Sequence, residues 1–258
     1  MIELYHNDMS VCAQKVRLVL AHKKIAWKSR HFNLRAGEQF TPEFLKINPK
    51  AVIPVLVHDG AVITESNVIC YYLDEVFKEL RLMPDDLVDR AQVRVWLTRL
   101  DAGLHEHIAV ISFCLAFRQQ ILTRYATDEA LESFFKNIPD TAREVVMRDM
   151  VINGTASPRL KLAIVAYKKL LADLATALKS SEWIIDSGLS LADFAYLPYV
   201  ERLEQLQLTG LWTDYPQIEN WLQRVRKTSA YQVGMQDWHN LDYIKIMTEA
   251  DVPLWVFD

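Results

Sequence analysis

The chain has 258 residues, more than one core of ~100–150 residues usually takes, so two packed domains are expected. Its hydrophobic fraction of 51% can fill both, and a net charge of -4, from 29 basic and 33 acidic residues without long runs of one sign, argues against a nucleic-acid or membrane-surface partner. Seven glycines, none placed to begin a G-x-G-x-x-G or a phosphate loop, argue against a nucleotide cofactor.

In chain order, "IELYH" (Ile2 to His6) alternates like a strand, and Val16, Val19, Leu20 and Lys23 follow helical spacing. "IAWKSRHFN" (Ile25 to Asn33) returns to strand-like composition, completing a βαβ unit. "TPEF" (Thr41 to Phe44) reads as part of a loop. Val55 to Val57 and Ala61 to Thr64 are short β-branched runs joined through Asp59-Gly60, a strong hairpin signal, and a helix is expected from Ser66 to Phe77. After the connector "LRLMPDD" (Leu80 to Asp86) the strand signals vanish. Leu87 to Phe117 and Arg159 to Ser180 read as long amphipathic helices. Between them, Pro139 and Asn153-Gly154 suggest a long irregular excursion over Thr123 to Pro158. In "GLSLADFAYLPYVERL", Ser190 and Asp193 form a capping box, Leu189 can staple on Phe194, and Pro198 should kink the helix.

The domains expected are therefore an α/β unit over residues 1–80 and an all-helical unit over 87–258. Cys12, Cys70 and Cys114 are an odd, scattered set that suits reduced thiols and a cytoplasmic setting. No signal-peptide pattern opens the chain, and the longest apolar run, Ile108 to Phe117, is half a membrane span. His105 and His107 lie two apart on different helix faces without a third ligand close in sequence, so no metal is expected.

These features together resemble the cytosolic glutathione transferase superfamily. "NPKAVIPVLVHDGAVITES" (Asn48 to Ser66) resembles its glutathione-binding stretch, and "WIIDSGLSLADFAYLPYVERL" (Trp183 to Leu203) its second-domain capping box and core helix. The resemblance implies a thioredoxin-like N-terminal domain, an all-α helical-bundle C-terminal domain, and glutathione as co-substrate. It implies a cis peptide before Pro54, so that the backbone of Ile53 pairs with the cysteinyl part of glutathione like an added strand. It places Glu65 and Ser66 at the γ-glutamyl end, where a helix N-terminus suits a carboxylate. Val52 stands where many members have a polar residue, so Lys50 or Gln39 would serve the glycyl end instead. In "HNDMSVCAQKVRLVL", Ser10 is the residue that would donate a hydrogen bond to the glutathione thiolate. Cys12, on the first helical turn with Lys15 and Arg17 close in sequence, would form a mixed disulfide with glutathione. Ser10 is also an ordinary N-cap, Cys12 an ordinary small buried residue, and Tyr5 a packing residue.

Ser-x-Cys resembles the maleylacetoacetate isomerases and the reductive dehalogenases of chlorinated hydroquinones, and "KAVIP" (Lys50 to Pro54) looks more like the latter. The readings carried forward are a transferase acting on an apolar or aromatic electrophile held by Phe113 and Phe117; a reductive, ether-cleaving or isomerising enzyme using Cys12; and a non-catalytic member of the fold. A homodimer is expected, with Val93, Trp96 and Leu97 as surplus apolar positions. The tail from Gly234 to Asp258, with Trp238, Tyr243, Ile244, Ile246 and Trp255, is expected to pack back onto the body.

Overall fold

A computed structural model describes all residues, 1–258. Four short strands form one sheet: β1 (Ile2–His6), β2 (Lys28–His31), β3 (Val55–His58) and β4 (Ala61–Ile63), in the order β2-β1-β3-β4. β1 pairs parallel to β2 and antiparallel to β3, and the β3–β4 hairpin turns at Asp59 (φ 50°) and Gly60 (φ 87°), the two left-handed residues that a tight hairpin turn demands. Helices α1 (Val11–His22) and α3 (Ser66–Val76) pack together against the sheet, and α2 (Pro42–Ile47) lies in the β2–β3 connection. The thioredoxin-like α/β layout is as expected, with one correction. "TPEF" is not loop: Pro42 stands in the first turn, where its missing N–H costs nothing, so it starts a helix.

The connector to the second domain is pinned from both sides. Asp74 on α3 accepts hydrogen bonds from the Leu82 and Met83 amides and meets Lys23 Nζ at 2.8 Å, both side chains being almost fully buried. The Leu82 carbonyl in turn accepts from the Leu191 amide.

The second domain is all helical. A helical run from Leu87 to Arg124 comprises α4 (Leu87–Arg99), α5 (His105–Ser112) and α6 (Arg118–Arg124), separated by wide π-type turns at Leu100–Leu104 and Phe113–Phe117. Gly103, at φ 131°, breaks the first of these. The run is long and apolar enough to cross a membrane by length and composition, beyond the ten-residue stretch the sequence suggested. Its Val93, Leu97, Ile108, Ile111 and Cys114 are nevertheless buried in the protein's own core, as in a core helix. Then follow α7 (Asp128–Lys136), α8 (Thr141–Asn153), α9 (Pro158–Ala177), α10 (Leu191–Gln205), α11 (Pro216–Arg226), α12 (Ser229–Gly234) and α13 (Leu241–Thr248).

Three expectations are corrected here. Residues 123–158 are mostly helix: Pro139 falls between α7 and α8, Gly154 terminates α8, and Thr127 and Asp140 cap the two starts through the Ala130 and Arg143 amides. Val93 and Leu97 are not surplus, since both are buried within the single chain; the exposed apolar positions of α4 are Leu87, Val88 and Val95. The tail does pack back, with Met247 and Val256 fully buried, but Trp255 stays exposed.

The capping box is present as expected: Asp193 accepts from the Ser190 amide and hydroxyl, the Ile184 amide and the Trp221 indole. α10 is buried along most of its length and carries Pro198 in its interior. It lies against α1, as does α12, which makes α1 the shared wall of the two domains. Gly234 allows the closest approach, because a Cβ there would stand 2.8 Å from the Arg17 carbonyl oxygen.

Candidate active site

One cavity of about 280 Å³ opens where the two domains meet. Its first-domain wall holds Ser10, Gln39, Val52 and Ile53, and its second-domain wall holds His105, Phe113, Phe117, Arg202 and Tyr243. Of the residues singled out from sequence, Ser10, Gln39, Ile53, Phe113 and Phe117 therefore meet in one place. Cys12, Lys50, Pro54, Glu65 and Ser66 lie outside that lining.

Each wall follows from local chemistry. Ser10 is the N-cap of α1 and its Oγ accepts from the Ala13 amide at 3.3 Å, which leaves the hydroxyl proton free to be donated. The Ile53-Pro54 peptide is cis, and the β1–β3 ladder begins only at Val55, so the Ile53 backbone is not used in the sheet. Gln39 Nε2 donates to the Leu34 carbonyl, while its Oε1 is buried without a partner. A buried acceptor left open beside a cavity suits a ligand that brings a donor.

Glu65 adopts φ 65° and ψ 112°, a sparsely populated conformation for a residue with a side chain, of the kind that collects at ligand sites. It directly precedes α3, whose first-turn amides and positive dipole end suit a carboxylate. Lys50 Nζ donates to Glu65 at 2.8 Å, and the Lys50 carbonyl accepts from Arg143. The first domain thus offers three unpaired features: the open Gln39 acceptor, the free Ile53 backbone and the α3 N-terminus.

Sequence reasoning missed His105. Its Nδ1 lies 3.4 Å from Cys12 Sγ and 3.2 Å from the Tyr199 hydroxyl, and Tyr199 also lies 3.7 Å from the sulfur. Burial alone would push the Cys12 thiol up. The charges of His105 and Lys15 and hydrogen bonds from His105 and Ser66 outweigh it, and the thiol falls to about 6 from a usual value of 9.0. The thiolate in turn holds the His105 imidazolium above its ordinary range, against burial. Lys15 is kept beside the pair by Asn67, which accepts from its Nζ at 2.8 Å and donates to Asp101 and the Leu97 carbonyl. Arg17, the other cation close in sequence, turns away to the carbonyls of Asn7, Asp8 and Gly234. Tyr5 packs on Phe32 and Phe44. No group of three or more His, Cys, Asp or Glu side chains is placed to hold a metal ion.

A thioredoxin-like domain presenting a cis X-Pro edge and a helix N-terminus, joined to an all-helical domain across one apolar cavity, is the architecture of a glutathione-dependent enzyme class. Residues 9–76 match the glutathione S-transferase N-terminal domain model, and residues 141–224 match the glutathione S-transferase C-terminal domain model. The chain belongs to the glutathione S-transferase family, which uses glutathione as co-substrate. It is 30% identical over 257 residues to Protein LigF of Sphingobium sp. strain SYK-6, an alignment covering 96% of this chain and 98% of that one. The crystal structure of beta-etherase LigF from that strain superposes with a TM-score of 0.83 at 27% identity, covering 92% and 99% of the two chains. A probable maleylacetoacetate isomerase of Vibrio cholerae is 25% identical over 230 residues, covering 88% and 92%.

Proposed function

We propose that the protein binds glutathione along Ile53, Gln39 and the start of α3, stabilises its thiolate with the Ser10 hydroxyl, and directs it at an electrophilic carbon of a substrate held against Phe113 and Phe117. The carrying observation is Ser10, an N-cap whose proton is free, in the same cavity as those two rings. A hydrogen bond to a thiolate favours the charged nucleophile over the thiol. The sulfur then bonds to carbon as the leaving group departs with the electron pair.

Ether cleavage is the second reading, favoured by the similarity to LigF along nearly the whole chain and by the Cys12–His105 pair. In it the leaving group is an aryloxide. In reductive chemistry the Cys12 thiolate is also suited to attack the sulfur of a glutathionyl thioether, forming the Cys12–glutathione disulfide as the substrate carbon leaves with the electron pair and takes a proton, and a second glutathione then frees Cys12 as glutathione disulfide. The Tyr199 hydroxyl, next to both Cys12 and His105, provides a third proton-bearing group at that point.

The family resemblance also supports a homodimer in the cytoplasm. Leu87, Val88 and Val95 on α4 give the second copy an exposed apolar face. Light scattering checks this, with a mass near the single-chain 29.9 kDa at micromolar concentration contradicting it.

The functional test is turnover with glutathione against aryl halides, aryl ethers, enones, disulfides and cis-enediones. Release of halide or phenol with formation of a glutathione thioether supports the reading. Binding of S-methylglutathione with no turnover across the panel would leave a non-catalytic member of the fold.

A further inference from the structure

The arginines that line the cavity bring fixed charge of one sign only. Three guanidiniums, those of Arg35, Arg143 and Arg202, reach its lining, which contains no carboxylate. None of the three has a salt-bridge partner, although seventeen ion pairs are present elsewhere in the chain.

Arg35 is held by its flat faces, not by its ends. Its guanidinium carbon lies 5.0 Å from the Phe113 ring centre, 4.8 Å from that of Phe117 and 5.6 Å from that of Tyr243. Its Nε donates to Gln120 at 2.9 Å, and its two terminal amino groups have no protein acceptor. Arg202, 5% exposed, lies across Phe117 at 5.3 Å and donates to the Met9 carbonyl and the Ser112 hydroxyl. The nearby carboxylates are engaged elsewhere: Glu201 with Arg226 at 3.0 Å and His239 at 3.1 Å, and Asp8 with Asn240 at 2.9 Å.

Arg202 is withdrawn from water without an ion-pair partner, which is costly, and the half-buried Arg35, a planar guanidinium with free amino groups, matches an oxyanion in a two-point fork. We propose that the co-substrate combines an aromatic body with a carboxylate or sulfonate group, which Arg35 grips directly and Arg202 supports by its charge. This rests on the glutathione reading above, in which the γ-glutamyl carboxylate lies at the start of α3 and Gln39 takes an N–H from the peptide part. Aromatic packing on Phe113 and Phe117 would orient the ring, and the fork would set which of its carbons faces Ser10.

Calorimetry with three probes tests it: S-methylglutathione, S-benzylglutathione and S-(para-carboxybenzyl)glutathione. A charge-assisted hydrogen bond predicts that the carboxylated probe binds the wild-type protein about tenfold to a hundredfold more tightly than the benzyl probe. Arg35→Gln should abolish that preference, Arg35→Lys should keep part of it, and S-methylglutathione should bind all three proteins alike. Equal affinity of the two benzyl probes for the wild-type protein overturns the proposal without needing any variant to fold. Loss of S-methylglutathione affinity in Arg35→Gln, matching the loss for the carboxylated probe, also overturns it by assigning Arg35 to the glutathione half. If S-methylglutathione fails to bind the wild-type protein, the glutathione reading itself falls, and this proposal with it.

Discussion

Cys12 Sγ and His105 Nδ1 stand 3.4 Å apart although 93 positions separate them in sequence. α1 brings the sulfur to the domain boundary, and the wide turn ahead of α5 brings the imidazole to meet it. Each lowers the free energy of the other's charged form, which keeps a thiolate present at neutral pH.

The first prediction concerns that thiolate. Alkylation of Cys12 by iodoacetamide, followed by intact mass, should be half-maximal near pH 6, because the reactive form appears as pH rises through the lowered value. His105→Gln removes the largest stabilising charge and should move the midpoint upward by at least about one unit, worth ~1.4 kcal/mol. A midpoint near the ordinary thiol range in the wild-type protein would count against the pair.

Gly103 is the second point of attack. Nothing obstructs a Cβ there, yet φ 131° is a backbone conformation that side-chain-bearing residues rarely adopt. Gly103→Ala should therefore cost roughly 1–3 kcal/mol. Because the turn sets the position of His105, the Cys12 alkylation midpoint should rise in the same variant. Unchanged melting and an unchanged midpoint together would show that the turn does not position the imidazole.

Much of this architecture was legible in short sequence windows. The Asp59-Gly60 hairpin and the Ser190–Asp193 box depend on residues close in sequence, so their chemistry can be read locally, whereas the cis Ile53-Pro54 peptide is expected from the family resemblance alone. The Cys12–His105 pair cannot, because it exists only through the packing of α1 against the second domain, and in sequence His105 has only His107 close by, on another helix face. Pro42 and Pro139 misled for a different reason. A proline marks a boundary without saying on which side the helix lies, and the capping side chains of Thr127 and Asp140 held the missing information.

The capping box yields a stability prediction. Asp193→Ala would strand the buried Ile184 amide, Ser190 amide and Trp221 indole N–H. Loss of three such bonds should lower stability by roughly 3 kcal/mol or more. Chemical denaturation reads this directly, and a loss below ~1 kcal/mol would mean that water takes the place of the carboxylate.

The tail is tested by truncation after Gln236. This removes Trp238, which stacks on Trp27 and meets His6 edge-on, as well as buried Met247 and Val256 and the cavity residue Tyr243. Both a lower melting temperature and an altered KM for the electrophile are expected. Unchanged melting and kinetics would refute a structural role for the tail.

The most direct test of the account is an ultraviolet difference titration of glutathione bound to the Cys12→Ser protein, which reads the ligand's own thiolate without interference from Cys12. The account predicts a bound thiol that ionises well below the ~8.5 of a free one, with the midpoint returning upward in Cys12→Ser/Ser10→Ala and turnover at neutral pH falling about tenfold to a hundredfold. An unshifted thiol in the presence of Ser10, or the same shifted midpoint after its removal, would contradict the claim that Ser10 activates glutathione.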